Sequence, residues 1–254
     1  MRSKSADIAG AEPSAWSSRD GRKRHSLLDT GRGSTWWAPG AIGWWVGLLF
    51  AVGASCFALG SAPGYLQAVG NSADSLTFFV GSIFFTSASY LQYLEAVNAR
   101  HLPAGEGVLE RFRVLGYEPG NAGWWAASVQ LLGTIFFNIS TFDAMRASLS
   151  APQVDKLVWR PDAYGSICFL VASTFAWIEL GRPVWRARSL SWWIVALNML
   201  GSIAFGVSAV AAFVVPTSGE PLNIVLVNLG TFVGAVCFFA GAVMLLPERT
   251  LEGS

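Results

Sequence analysis

The chain has 254 residues, of which 53% are hydrophobic and only 13% charged, with a formal net charge of +1. An ordinary soluble domain carries about 25% charged residues, so the composition excludes a water-soluble globular protein and places the chain in lipid. Net charge says little about partners here, because the placement of basic residues matters in a membrane and not their sum. The partner expected is the lipid bilayer, with a homo-oligomer or other membrane proteins beyond it and no nucleic acid.

Residues 1–38 form a basic tail rich in Ser, Arg and Gly, predicted to be disordered and cytoplasmic. It lacks the short apolar region of a cleavable signal peptide. Arg22-Lys23-Arg24-His25 within it suits setting of topology and contact with anionic lipid. Six apolar stretches follow, at 41–60, 75–94, 123–142, 163–180, 191–215 and 222–246, and none has Lys, Arg or Asp in its interior. Each approaches the roughly 20 residues needed to cross a bilayer core as a helix.

The stretches repeat. Trp44-Trp45, Trp124-Trp125 and Trp192-Trp193 each begin nine residues before a glycine (Gly53, Gly133, Gly201) and thirteen before a phenylalanine (Phe57, Phe137, Phe205). The next stretch in each case carries Gly-small-aliphatic, at Gly81-Ser82-Ile83, Gly165-Ser166-Ile167 and Gly234-Ala235-Val236, with a glutamate fourteen residues after that glycine: Glu95, Glu179 and Glu248. Such shared offsets predict a helical hairpin in triplicate. The expected fold is therefore all-α, a polytopic membrane protein with six transmembrane helices built from three tandem helical hairpins about a pseudo-threefold axis. Hairpin repeats occupy 39–98, 123–182 and 183–249, with a cytoplasmic interfacial loop at 99–122 and a short tail at 250–254.

Between the hairpins, Val108, Leu109, Phe112 and Leu115 have helical spacing among charges, which predicts a short interfacial helix. In the loop 143–162, Trp159-Arg160-Pro161-Asp162 reads as an interface anchor followed by a helix start, where the missing proline N–H is harmless. Fourteen basic residues lie in the tail, after the second, fourth and sixth spans; Arg146, Lys156 and Arg160 alone lie on the other side. That asymmetry puts both termini in the cytoplasm. The Trp pairs then stand at the cytoplasmic entrances of their helices as headgroup anchors, with an aromatic ligand cage as the alternative. Gly43 with Gly47, and Gly230 with Gly234, have the spacing of small-residue helix contacts.

The chemistry is sparse. His25 and His101 both fall outside the spans, and no span contains a phosphate loop or paired carboxylates. No acid or base sits at mid-bilayer, where proton relays and coupled carriers keep one. No catalytic residue, metal site or cofactor is expected. Cys56, Cys168 and Cys237, odd in number and all within spans, read as small apolar fillers. Two constellations are candidate sites. Glu95, Glu179 and Glu248 end the even-numbered spans, either as a charged ring around a central path or each against an arginine or a neighbouring helix start. Gln130, Thr134, Asn138 and Thr141 share one face of the third span, and Asn198 and Ser202 take aligned positions in the fifth. Hydrogen bonding between these two spans is the expected role, with Asn228 joining it. The first span has Phe50 and Ala54 there instead, which weakens a symmetric pore.

The elements Phe79-Val80-Gly81-Ser82-Ile83-Phe84-Phe85 and Gly165-Ser166-Ile167-Cys168-Phe169-Leu170, with the exit Gly181-Arg182-Pro183 and Arg186, resemble the YrhK-like family of bacterial integral membrane proteins. The resemblance covers the hairpins, and the third copy departs from it with Gly234-Ala235. It implies a multi-pass protein of the bacterial inner membrane and carries over no reaction or ligand. The expected function is non-enzymatic: a structural, sensory or assembly component. The alternatives are a facilitator or channel for a small neutral solute, using Gln130, Asn138 and Asn198, and an intramembrane lipid-modifying enzyme.

Overall fold

A computed structural model of the chain describes residues 36–98, 113–146, 148–181 and 189–251, of which 248–251 as backbone alone. The predicted tail disorder, the segment 108–112 of the predicted interfacial helix, His25 and His101 lie outside the described residues. The helices are α1 (Ile42–Gly60), α2 (Tyr65–Val69), α3 (Asn71–Asn98), α4 (Ala122–Ala144), α5 (Ala151–Gln153), α6 (Arg160–Leu180), α7 (Leu190–Ala211) and α8 (Ile224–Leu251). A π-helical stretch, Val154–Trp159, joins α5 to α6. Among the described residues there is no strand, and a single antiparallel bridge pairs Val214 with Pro221 between α7 and α8.

Four helices are long and apolar enough to cross a membrane: α1, the continuous rod Ala151–Leu180, α7, and α8 as far as Pro247. The chain is thus an all-helical membrane protein. Six spans are expected from the sequence, and α3 and α4 do not meet the composition of the other four. They are long enough, at 28 and 23 residues, but α3 carries Asp74, Gln92, Glu95 and Asn98 while α4 carries Gln130, Asn138 and Asp143.

The six long helices pack as a closed ring. In it α1 lies against α3, α3 against α4, α4 against α6, α6 against α7, α7 against α8, and α8 against α1. Contacts between α1 and α3 run in opposite senses, from Gly60 on Phe78 through Gly53 on Gly81 to Gly43 near Glu95, so the pair is antiparallel. Large side chains such as Ile83, Ile135, Ile167, Leu200 and Val236 point outward, while Ser82, Ser89, Thr134 and Ser202 are fully buried. That distribution suits hydrocarbon surroundings, since an exterior so apolar would associate in water. Three of these hydroxyls are satisfied within their own helix, Ser82 Oγ donating to Phe79 O at 2.8 Å, Thr134 Oγ1 to Leu131 O at 2.8 Å and Ser202 Oγ to Asn198 O at 2.9 Å, while Ser89 Oγ has no partner among the described residues.

Glycines set the helix spacing. A methyl on Gly133 would lie 3.1 Å from the Gly165 carbonyl oxygen, and one on Gly165 the same distance from that of Gly133. Gly53 with Gly81 and Gly201 with Gly234 meet in the same reciprocal way. Gly47 does this between α1 and α8, where a methyl would stand 2.9 Å from Ala242 O. Without side chains the backbones approach closely, which maximises the van der Waals contact that holds helices together in lipid.

One helix begins earlier than its sequence suggests. The start is Ser150, with a capping box to Gln153, eleven residues before Pro161. A proline inside an α-helix lacks an N–H and collides with the carbonyl four residues back. The wider π turn ahead of Pro161 relieves that collision, and Ser140 Oγ donates to the Val158 carbonyl in that stretch at 2.9 Å. Trp159 is more than an interface anchor: its indole donates to Ala209 O of α7 at 2.9 Å, and its ring meets Phe213 at 5.0 Å.

Candidate functional site: the bundle axis

The axis is filled by six phenylalanines, one from each long helix. Phe57, Phe137 and Phe205 form one closed triangle, with ring centroids 6.4, 5.9 and 5.9 Å apart. Phe85, Phe169 and Phe238 form a second, at 6.3, 6.0 and 5.6 Å. Each ring of the first triangle also meets its hairpin partner in the second, at 5.4, 5.0 and 5.2 Å. All six are buried, and edge-to-face geometry prevails among them, as the aromatic quadrupole favours. The result is an apolar plug at the level where the glycine pairs bring each hairpin's backbones together.

Beside the plug, toward the end where the Trp pairs stand, lies a small polar cavity of about 30 Å³. Gln92 and Glu95 of α3, Gln130 of α4, Ser173 and Glu179 of α6 and Asn198 of α7 supply its polar walls, and alanines with Gly123 supply the rest. Since a buried water needs about 10–15 Å³ of such space, the cavity has room for about two waters. Gln130 and Asn198 stand seven residues before Phe137 and Phe205, two helical turns or about 10 Å from the plug. On α1 the corresponding residue is Phe50, buried and 5.5 Å from Phe85. Phe50 closes that side of the axis and leaves the cavity between α3, α4, α6 and α7.

The structure divides the predicted polar stripe. Gln130 and Asn198 meet at the cavity. Asn138 Nδ2 donates instead to Thr86 Oγ1 of α3 at 2.7 Å, Thr86 reaches Thr134 O at 3.4 Å, and Thr141 pairs with Ser82 at 2.9 Å. Ser202 of α7 pairs with Ser173 of α6 at 2.8 Å. The expected bonding between the third and fifth spans is therefore corrected: the stripe of α4 ties to α3, and Ser202 of α7 to α6. The reason is the ring order, which puts α3 beside α4 and α6 beside α7, while α4 and α7 are not neighbours in the ring and meet only across the axis. Asn228 is exposed and joins none of this.

Of the predicted charged ring, Glu95 and Glu179 do face the same cavity, and the side chain of Glu248 lies outside the described residues. Glu95 Oε1 comes within 3.5 Å of where a methyl on Gly43 would be, in the first turn of α1. A carboxylate is favoured there by the positive end of the helix dipole. The leading tryptophans Trp44, Trp124 and Trp192 are buried and each meets its neighbour edge-on at 5.0, 4.9 and 5.0 Å. Trp44 donates to Trp36 O and Trp124 to Gly116 O, both eight residues back, while Trp45 and Trp125 donate to Pro39 O and Pro119 O, both six back. These four indoles brace the chain entering α1 and α4, and the leading ring of each of the three pairs is a buried packing element. Among the described residues no group of three or more His, Cys, Asp or Glu could hold a metal ion.

Five participants escape the sequence reading. Phe85, Phe169 and Phe238 stand four residues beyond the second glycine of each hairpin, an offset as regular as the others. Gln92 and Ser173 line the cavity from positions that look like ordinary helix-packing polar residues. In comparisons with known proteins, no family model matches the chain, and neither does any curated protein or solved structure.

Proposed function

We propose that the chain is a six-span protein of three tandem helical hairpins about a pseudo-threefold axis, and that it serves the bacterial inner membrane as a non-enzymatic structural, sensory or assembly component. The observation that carries this reading is the double phenylalanine triangle. A conduit needs a continuous polar or hydrated path, whereas rings from all six helices fill the axis and the polar cavity is a small one lined by α3, α4, α6 and α7 alone. The spanning role of α3 and α4 is supported by their lengths, about 42 and 35 Å at 1.5 Å per residue, against a hydrocarbon core of about 30 Å. It is also supported by their place in the ring, where the hydroxyls that lower their hydropathy, such as Ser82, Ser89, Thr134 and Thr141, are turned inward. The likeness to YrhK-like membrane proteins fits this reading, because Gly81-Ser82 and Gly165-Ser166 lie at the helix crossings. Both termini are assigned to the cytoplasm from the basic-residue asymmetry.

The polar cavity favours a second reading, a facilitator for a small neutral solute recognised by Gln130 and Asn198. Proteoliposome swelling across a panel of small polyols and amides separates the two. The scaffold reading expects swelling equal to protein-free vesicles. Flux through the parent, lost in a still-folded Gln130→Leu/Asn198→Leu variant, would establish the facilitator instead. Labelling of single cysteines with an impermeant maleimide tests the topology. Ser72→Cys should react in intact cells and Gly105→Cys only after permeabilisation.

A further inference from the structure

The α3/α4 and α6/α7 seams differ in what fills them. Aligned on their glycines, Phe79 of α3 corresponds to Ala163 of α6, Phe142 of α4 to Val210 of α7, and Asn138 to Gly206. In the α3/α4 seam the rings of Phe79 and Phe142 meet at 5.7 Å and Asn138 is bonded to Thr86. The α6/α7 seam has lost both rings and the amide, and an open groove of about 830 Å³ runs along it. Its walls are apolar, formed by Ala163, Ile167, Leu170, Ile203, Gly206 and Val210, and Trp159 closes one end.

We propose that this groove holds one acyl chain of a bilayer phospholipid as a fixed lipid. Three observations select that occupant. Both walls belong to helices long and apolar enough to cross a membrane, so the groove opens sideways into hydrocarbon. From Trp159 to Leu170 it spans eleven residues, about 16 Å at the helical rise, which matches one leaflet of a core about 30 Å thick. Its closed end is a tryptophan, whose indole suits the headgroup boundary, with Asn223 at the rim. Residence there is driven by van der Waals contact with a shaped wall, because a lipid tail gains nothing from leaving water when it is already in lipid.

The test uses the full chain in phosphatidylcholine proteoliposomes doped with a phosphatidylcholine bearing a diazirine within one acyl chain. After irradiation, adducts are mapped by mass spectrometry. The protein supplies matched controls, since Ile167, Ile203 and Val207 correspond to Ile83, Ile135 and Ile139 of the α3/α4 seam and are comparably exposed. The expected result is about fivefold more labelling at the α6/α7 set, equivalent to ~1 kcal/mol of preference. An Ala163→Phe/Val210→Phe variant, which restores the missing rings, should bring the two sets to parity. If that variant does not fold, Ala163→Phe alone serves, and the parent's ratio is decisive by itself. Equal labelling of the two sets in the parent overturns the proposal, as does an excess that persists in a folded, ring-restored variant. Unlabelled groove residues together with a dimer mass would also overturn it, and would assign the groove to a second copy of the chain.

Discussion

A methyl group on Gly53 would sit 2.9 Å from the carbonyl oxygen of Gly81, and one on Gly81 would sit 3.1 Å from that of Gly53. Closer still are the buried rings, Phe85 at 2.7 Å from the first methyl and Phe57 at 2.9 Å from the second, so a methyl on either glycine meets both backbone and the packed axial rings. Gly53→Ala, Gly133→Ala and Gly201→Ala should therefore each lower stability in detergent by about 1–3 kcal/mol, the usual cost of overpacking. Gly120 has nothing within 4 Å of an added methyl, so Gly120→Ala should melt like the parent. Thermal unfolding followed by circular dichroism checks the series. Parent-like melting of all three buried variants would refute the close-contact account.

Truncating a ring of the axial plug leaves a hole that six helices must collapse to fill. Phe137→Ala and Phe205→Ala should each cost about 3–5 kcal/mol, as large-to-small changes do in packed cores. Phe142→Ala, which removes a half-exposed ring at the edge of the α3/α4 seam, should cost clearly less. Comparing the three melting temperatures in one detergent gives the answer, and equal losses would mean that the triangles are not special.

Asn98 is buried at the end of α3, and its amide donates to the carbonyls of Leu94 and Arg113 at 2.8 Å while accepting from Arg113 N at 2.8 Å. An aspartate there keeps the acceptor, loses both donors and sets a carboxylate against two carbonyls. Asn98→Asp should accordingly be more damaging than Asn98→Ala, which leaves buried groups unsatisfied at about 1–3 kcal/mol. Limited proteolysis read alongside melting should reveal earlier cleavage between 99 and 112 in both variants.

The Asn138–Thr86 bond is short, but both residues reside in a seam where packing dominates. A double-mutant cycle with Asn138→Leu and Thr86→Val should return a coupling of about 0.6 kcal/mol, the average for interhelical bonds in membranes. A coupling several times larger would mark the pair as a structural linchpin and call for a different account of that seam.

The parts of this architecture legible in the sequence were those with a fixed offset. Gly53, Phe57 and their counterparts recur because close backbone approach and ring packing demand one residue type at one depth, and period alone reveals that. Partner identity was not legible. The stripe on α4 has a clear face, yet whether that face meets α7 or α3 depends on the ring order, which no local pattern encodes. The π turn before Pro161 is hidden for a related reason: a proline reads as a helix start, and the rod continues past it only through that wider turn, whose Val158 carbonyl accepts from Ser140 of a different helix. The cavity escaped because it arises from what α1 lacks. Phe50 fills one side of the axis, and the space opposite depends on Gln130 and Asn198 having no equal there.

The two triangles also bear on the order in which the chain can mature. Each hairpin brings one ring to each layer, so a nascent chain ending before α7 would own four rings and no closed triangle. The contacts of α6 with α7 and of α8 with α1 form only when α7 and α8 follow the other four long helices out of the ribosome. Native packing thus requires all six long helices, and a truncation after α6 should leave four that hold together only loosely and are degraded sooner than the full chain.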